Sequence, residues 1–238
     1  MLSTDTVHAL TGWLLTATEA PDIPALPRTR RPGPHAGNHH ARTSHRPVCN
    51  LLLLHDGPAF DMGPDSRCMT GAPVAIDPHL LDSHRGGLPD LLPDLAAALH
   101  PHRPAAPAQH GAALHGDTLH GVADAVTDLL TTAGPGMRLV ACAVLYDDIH
   151  TGTATSAATP GGGTGEQCTL TAVRRADAVD VDGRVYQAVC LPGTSATAIV
   201  DDEPDPHDTP ATQPGLTALL AAAGRTGPRD ASTMDGGA

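Results

Sequence analysis

The sequence predicts an α+β fold, an antiparallel β-sheet with strands mainly within residues 138–200 and helices packed on one face, together with a disordered linker and tail. Three observations lead there. Residues 138–146 are apolar at nearly every position, as expected of a central strand buried on both sides. Four strand-like stretches follow at 168–175, 178–181, 184–191 and 196–200, with Asp182-Gly183 supplying the two-residue hairpin signal between them. In that register Val179 faces Tyr186 and Val181 faces Arg184. Residues 117–133 place Leu119, Val122, Val126, Leu129, Leu130 and Ala133 at helical spacing between an Asp117 cap and Gly134 at the exit.

The chain divides into an N-terminal amphipathic helix (1–18), a Pro/His/Arg-rich linker (19–47), an α+β domain (48–223) and a tail (224–238). In the first segment Val7, Leu10, Trp13, Leu14 and Ala17 share a helical face, Ser3 or Thr4 caps it, and Asp5 complements the dipole of its first turn. The linker has no hydrophobic period, so it buries too little surface to offset the entropy of ordering it. It carries Arg28, Arg30, Arg31, Arg42 and Arg46 with His35, His39, His40 and His45, and no acidic residue between Asp22 and Asp56. Residues 48–54 read as a buried strand leading into a turn at His55-Asp56-Gly57-Pro58. Residues 57–87 read mainly as loop, with a short extended piece at 73–76. Leu91, Leu92, Leu95 and Leu99 mark a helix over 88–99, with Pro93 kinking it or marking its start. A further loop over 100–112, a Thr/Gly-rich loop over 151–165, an acidic connector over 201–212 and a short helix at 216–223 closed by Gly224 complete the reading.

Composition narrows the function. Net charge is −12 and all 14 basic residues are arginine, so no broad basic face is available for a phosphate backbone and nucleic-acid binding is not expected. The absence of lysine fits a high-GC bacterial genome. No apolar run is long enough to span a bilayer, and no basic residue precedes the first helix as a secretory signal requires, which points to a cytoplasmic protein with no membrane partner. The five cysteines, Cys49, Cys68, Cys142, Cys168 and Cys190, form no C-x-x-C pair and read as small buried hydrophobes.

The segment from Asn50 through His55-Asp56-Gly57 to Ala59 resembles the strand and oxyanion loop of α/β-hydrolases, where a buried strand ends in a His-Gly turn. That family also requires a G-x-S-x-G elbow. The nearest approach here, Gly193-Thr194-Ser195-Ala196-Thr197, lacks the final glycine and lies between strands. His55-Asp56 also suggests a metal-dependent phosphohydrolase of the HD type, but those are helical and these residues end a strand-like run. Asp177, Asp180, Asp182 and Gly183 fail the calcium-loop pattern, because Ala178 and Val189 stand where acidic ligands are needed. Gly161-Gly162-Gly163-Thr164-Gly165 has no lysine to complete a phosphate loop.

His110, His115 and His120 recur every five residues, each before a glycine; a five-residue step turns them by about 140° around a helix, so only a loop would bring them together. Asp148 and His150 point to one side of a continuing strand and are the pair with a geometric argument for metal. No residue is assigned a catalytic, cofactor-binding or metal-binding role from sequence. The function expected is that of a soluble accessory or protein-interaction protein without an evident catalytic motif, meeting a protein partner or itself through the N-terminal helix. The alternative is a small metal-dependent hydrolase using Asp148, His150 and the loop histidines.

Overall fold

The structure, a computed structural model, describes residues 1–20, 49–59, 67–99, 118–134, 136–155, 166–205 and 207–226, with the side chains of 150–155 and 166–170 left out of that description. The elements run α1 (Thr4–Glu19), β1 (Cys49–Pro58), β2 (Arg67–Ile76), α2 (Pro78–Asp82), α3 (Leu88–Ala98), α4 (Leu119–Thr132), β3 (Arg138–Thr155), β4 (Glu166–Asp180), β5 (Val185–Cys190), β6 (Thr197–Asp201) and α5 (Gln213–Thr226). The strands form one sheet in the order β2-β1-β3-β4-β5-β6, with every neighbouring pair antiparallel. The fold is α+β, as its sequence predicts.

Alternation along the central strands sets the two faces. Leu51 and Leu53 of β1, Cys142 and Val144 of β3, and Val179 of β4 meet α2, α3, α4 and α5 on one side. Leu52 and Leu54, Ala141, Ala143 and Leu145, and Ala176 and Ala178 face the other. There α1 lies across the sheet with Leu10 and Leu14 fully buried against them. Each such leucine contributes about 1.5–3 kcal/mol. The small alanines of this face leave room for the helix backbone, and Trp13 extends the contact to the edge strand β2. Helices therefore cover both faces, four on one and α1 on the other, and the stripe of the first helix docks within its own chain.

Several local boundaries differ from the sequence reading, each for a physical reason. The expected loop at 57–87 contains β2 and α2. β2 is an edge strand, half exposed and broken by Gly71 and Pro73, so it carries no clear alternation, and an edge tolerates a proline because one side has no ladder partner. β1 continues through the expected turn at His55-Asp56-Gly57, with a register irregularity between Leu54 and His55. The stretches 168–175 and 178–181 belong to one strand, β3 extends to Thr155 into the expected loop at 151–165, and β4 starts just after that loop at Glu166. α4 is capped by Thr118, whose hydroxyl accepts from the Gly121 N–H, and α5 runs through Gly224 to Thr226.

The hairpin register is also shifted by one residue: Ala178 pairs with Tyr186 and Val179 with Val185. A two-residue type I′ turn needs positive φ at both central positions, whereas Gly183 alone has it, at 89°, and no described non-glycine residue does. The turn therefore takes one more residue than the Asp-Gly signal implies. The linker expected at 19–47 lies outside the described residues apart from Glu19 and Ala20, which end α1. The loop at 100–112, the glycine run 161–165 and the tail beyond Thr226 lie outside them as well.

Two packing features generate tests. A Cβ placed on Gly71 would stand 2.0 Å from the Trp13 ring, so α1 approaches β2 this closely only because residue 71 is glycine. Gly71→Ala is expected to cost about 1–3 kcal/mol in urea unfolding, as overpacking does, with most of that cost relieved in a Trp13→Leu background. An equal cost in both backgrounds would show that the ring contact is not what demands glycine.

His55 is 6% exposed, and burial lowers its pKa below the ordinary 6.5. The unfolded chain then takes up the proton first. Stability attributable to His55 is full above pH 6.5 and falls as the pH drops through that value toward the lowered native one. Unfolding free energy measured against pH should decline across this window in the wild type and less steeply in His55→Asn; parallel curves would contradict the burial effect.

Candidate functional site

The start of β1 meets the middle stretches of β3 and β4 on the face covered by four helices. Cys49 pairs with Tyr146 across β1 and β3, and Tyr146 pairs with Arg175 across β3 and β4. The two-residue period of a strand then sets Tyr146 and Asp148 on the same face as Arg175 and Asp177. Leu81 of α2, the first turn of α3 from Gly87 to Pro89, and the segment Pro210–Thr212 leading into α5 close over them. The result is a pocket of about 540 Å³, mostly apolar in its walls.

Its polar floor is built on Asp177, 1% exposed. The Tyr146 hydroxyl and the Thr212 hydroxyl both donate to Asp177 Oδ2, each at 2.8 Å. Thr212 thereby ties the start of α5 to the sheet. Asp177 Oδ1 receives no hydrogen bond among the described residues; Arg175 Nη2 stands 3.8 Å from it. Arg175 Nη1 is held instead by Asp148 Oδ2 at 3.3 Å, and Arg175 Nε, also buried, has no acceptor among the described residues. Asp147 borders the pocket from the far side of the sheet, where Arg174 pairs with it at 3.3 Å. Arg174 also donates to the Ala20 carbonyl and so anchors the end of α1.

The nucleophile types present are held in their protonated forms. Burial, reinforced by Asp147, pushes the Cys49 thiol up to about 12. Burial and the adjacent Asp177 carboxylate raise the Tyr146 hydroxyl well above its ordinary range. Both groups donate or fill space in this state; neither is poised to lose a proton near neutral pH.

The residues singled out from sequence are only partly assembled here. Asp148 is on the pocket wall, with its carboxylate engaged by Arg175. The backbone of His150 continues β3 opposite Thr171, but its side chain lies outside the described residues. His110 and His115 lie outside them too, and His120 is exposed in the first turn of α4. Among the described residues, no group of three or more His, Cys, Asp or Glu side chains is placed to hold a metal ion, and no helix is long and apolar enough to cross a membrane.

Tyr146, Arg175, Asp177 and Thr212 were not anticipated. A signal existed for three of them, since Arg175 and Asp177 interrupt an alanine- and valine-rich strand at alternate positions and Tyr146 ends an apolar one. Thr212 joins them only through the path of the connector into α5. Compared with protein-family models, with curated proteins and with solved structures, the chain matches none.

Tyr146 and Tyr186 are the two tyrosines of the sequence, and both are raised above the ordinary value of 10, by burial first and then by a hydrogen-bonded aspartate. A raised pKa means that stability present below pH 10 is lost as the pH climbs above it. Tyrosinate absorbance of the native protein is therefore expected to stay flat through pH 10 and to rise only together with loss of the circular-dichroism signal. Smooth titration near pH 10 with the fold intact would mean that the contacts to Asp177 and Asp180 are not made.

Proposed function

We propose that the protein is a non-catalytic accessory protein whose working surface is the pocket between β1, β3, β4 and the helices above them, where it holds a small ligand. The observation that carries this reading is the combination of a cavity of about 540 Å³, apolar in most of its lining, with a few convergent polar groups on its floor. That pattern and size fall within the range of small-molecule sites, roughly 300–1,000 Å³. An apolar wall supplies affinity, and a small number of fixed polar groups supply orientation.

The pocket chemistry favours holding over transformation. The Tyr146 and Thr212 hydroxyls are committed to Asp177, Asp148 is committed to Arg175, and Cys49 stays a thiol. An interaction role for the first helix is a weaker reading, because Leu10 and Leu14 are spent on the chain's own sheet. A cytoplasmic site of action is consistent with Cys49 and Cys142, buried as free thiols, since cysteines persist in that state in reducing compartments.

The test is a ligand-observed NMR screen of a fragment collection against the wild type and Ala211→Trp. Ala211 is exposed at the rim, so the indole blocks the entrance without entering the core. Hits that compete with one another in the wild type and vanish in Ala211→Trp are expected. Hits indifferent to the substitution, or none at all, would remove the pocket as the working surface.

A further inference from the structure

Resting on the pocket reading above, we infer that the ligand is an organic monocation: a primary ammonium carried on an apolar body, with its head seated on Asp177 Oδ1. Two observations converge on this class. The first is the orphan acceptor itself. Asp177 is 1% exposed and its Oδ2 is saturated by Tyr146 and Thr212, yet Oδ1, itself shielded from solvent, has no hydrogen-bond donor among the described residues. A buried carboxylate oxygen without a hydrogen bond is costly, so a ligand that brings an N–H to it gains more than the same bond would give in water. Arg175 stands beside this oxygen but does not fill the role, since its Nη2 lies at 3.8 Å and its Nη1 is drawn to Asp148.

The second observation is the sign of the local charge. Asp148 and Asp177 face one guanidinium, Arg175, leaving one formal negative charge on the pocket floor; Asp147 is balanced by Arg174 across the sheet. The opposing influence is the start of α3, which lines the pocket without a side-chain cap and presents the positive end of a helix dipole. That end is equivalent to about half a charge, and Asp90 in its first turn already answers it. The unit charge outweighs it, and a cation is favoured over a carboxylate or phosphate. An ammonium has three donors, enough to engage Oδ1 together with the Asp148 carboxylate while the apolar remainder packs on Leu81, Leu88 and Pro210.

The experiment uses three probes that share one body and differ in head charge: phenethylammonium, 2-phenylethanol and 3-phenylpropionate, each titrated into the full chain by calorimetry. Phenethylammonium is expected to bind about tenfold or more tightly than the other two, the discrimination expected of one buried charge-assisted hydrogen bond. Asp177→Asn should abolish that preference, Asp148→Asn should weaken it several-fold, and Ala211→Trp should remove binding of all three. Should Asp177→Asn fail to fold by circular dichroism, the wild-type ranking and Asp148→Asn decide.

Equal or tighter binding of the neutral or anionic probe, lost in Ala211→Trp, overturns the cation inference and leaves the pocket standing. Failure of all three probes alongside pocket-dependent fragment hits does the same. Failure of the probes with no pocket-dependent hits removes both readings.

Discussion

A sheet whose central strands are apolar on both faces has to be covered on both, and that requirement organises the molecule. β1 presents Leu51 and Leu53 to one side and Leu52 and Leu54 to the other, all of them fully buried. Four helices from the β2-to-β3 crossover and the C-terminal segment cover one side. The second side would be left open to water without α1. Its contribution is correspondingly large for a single helix, because the uncovered surface would include Leu52, Leu54, Leu145 and Tyr186 as well as its own leucines. The alanines opposite α1 and Gly71 beneath Trp13 are the same constraint seen from the sheet: a bulky helix face requires a shallow partner.

With so few aromatic residues, the protein uses its two tyrosines as apolar bodies with a polar tip, and both tips reach an aspartate of β4. Tyr146 reaches Asp177 on the helix-rich face and Tyr186 reaches Asp180 on the α1 face. A buried carboxylate is tolerated only where donors surround it. On each face a tyrosine supplies one donor and a nearby arginine supplies the counter-charge. The pocket is thus not an addition to the core but sits at one of its polar insertions, at the point where α3 and the 210–212 segment do not close completely over the sheet.

How much of this was legible in the sequence depends on how local the cause is. Helix α1 could be read because Leu10 and Leu14 recur at helical spacing behind Ser3, and β3 because 139–145 is apolar at every position; these are properties of one segment. The face that α1 covers was not legible, since it depends on alanines at 141, 143, 176 and 178, which look featureless until they are set side by side. Of β2 only the end at 73–76 could be read, because an edge strand obeys weaker rules than a central one. The hairpin register slipped because Asp182-Gly183 announces a turn without stating its length. At the site, Asp148 drew attention for its spacing to His150, whereas its observed partner is Arg175 on the next strand, a relation fixed by the β3–β4 register. Asp177 resembles a calcium ligand only in its local spacing to Asp180 and Asp182, whereas its surroundings come from β3 and from Thr212, 35 residues onward.

Asp177 and Asp180 make an internal comparison that bears on function more directly than any motif. They sit three residues apart on one strand, each 1% exposed, on opposite faces. Asp180 accepts from the Tyr186 hydroxyl, from Arg184 Nη1 and from the backbone N–H groups of Asp182 and Arg184, and both of its oxygens are engaged. It fixes the β4–β5 hairpin, and there is nothing left for a ligand to add. Asp177 has the same chemistry and the same burial, but its hydrogen-bond donors converge on one oxygen, while the other, shielded from solvent, has only the Arg175 guanidinium at 3.8 Å. A structural role alone would favour completing the second carboxylate as the first is completed, because each missing bond costs stability. The incomplete one lies where β4 borders the pocket, and Arg175 Nε beside it likewise has no acceptor among the described residues, so the two faces of β4 differ in how fully their buried charges are paired.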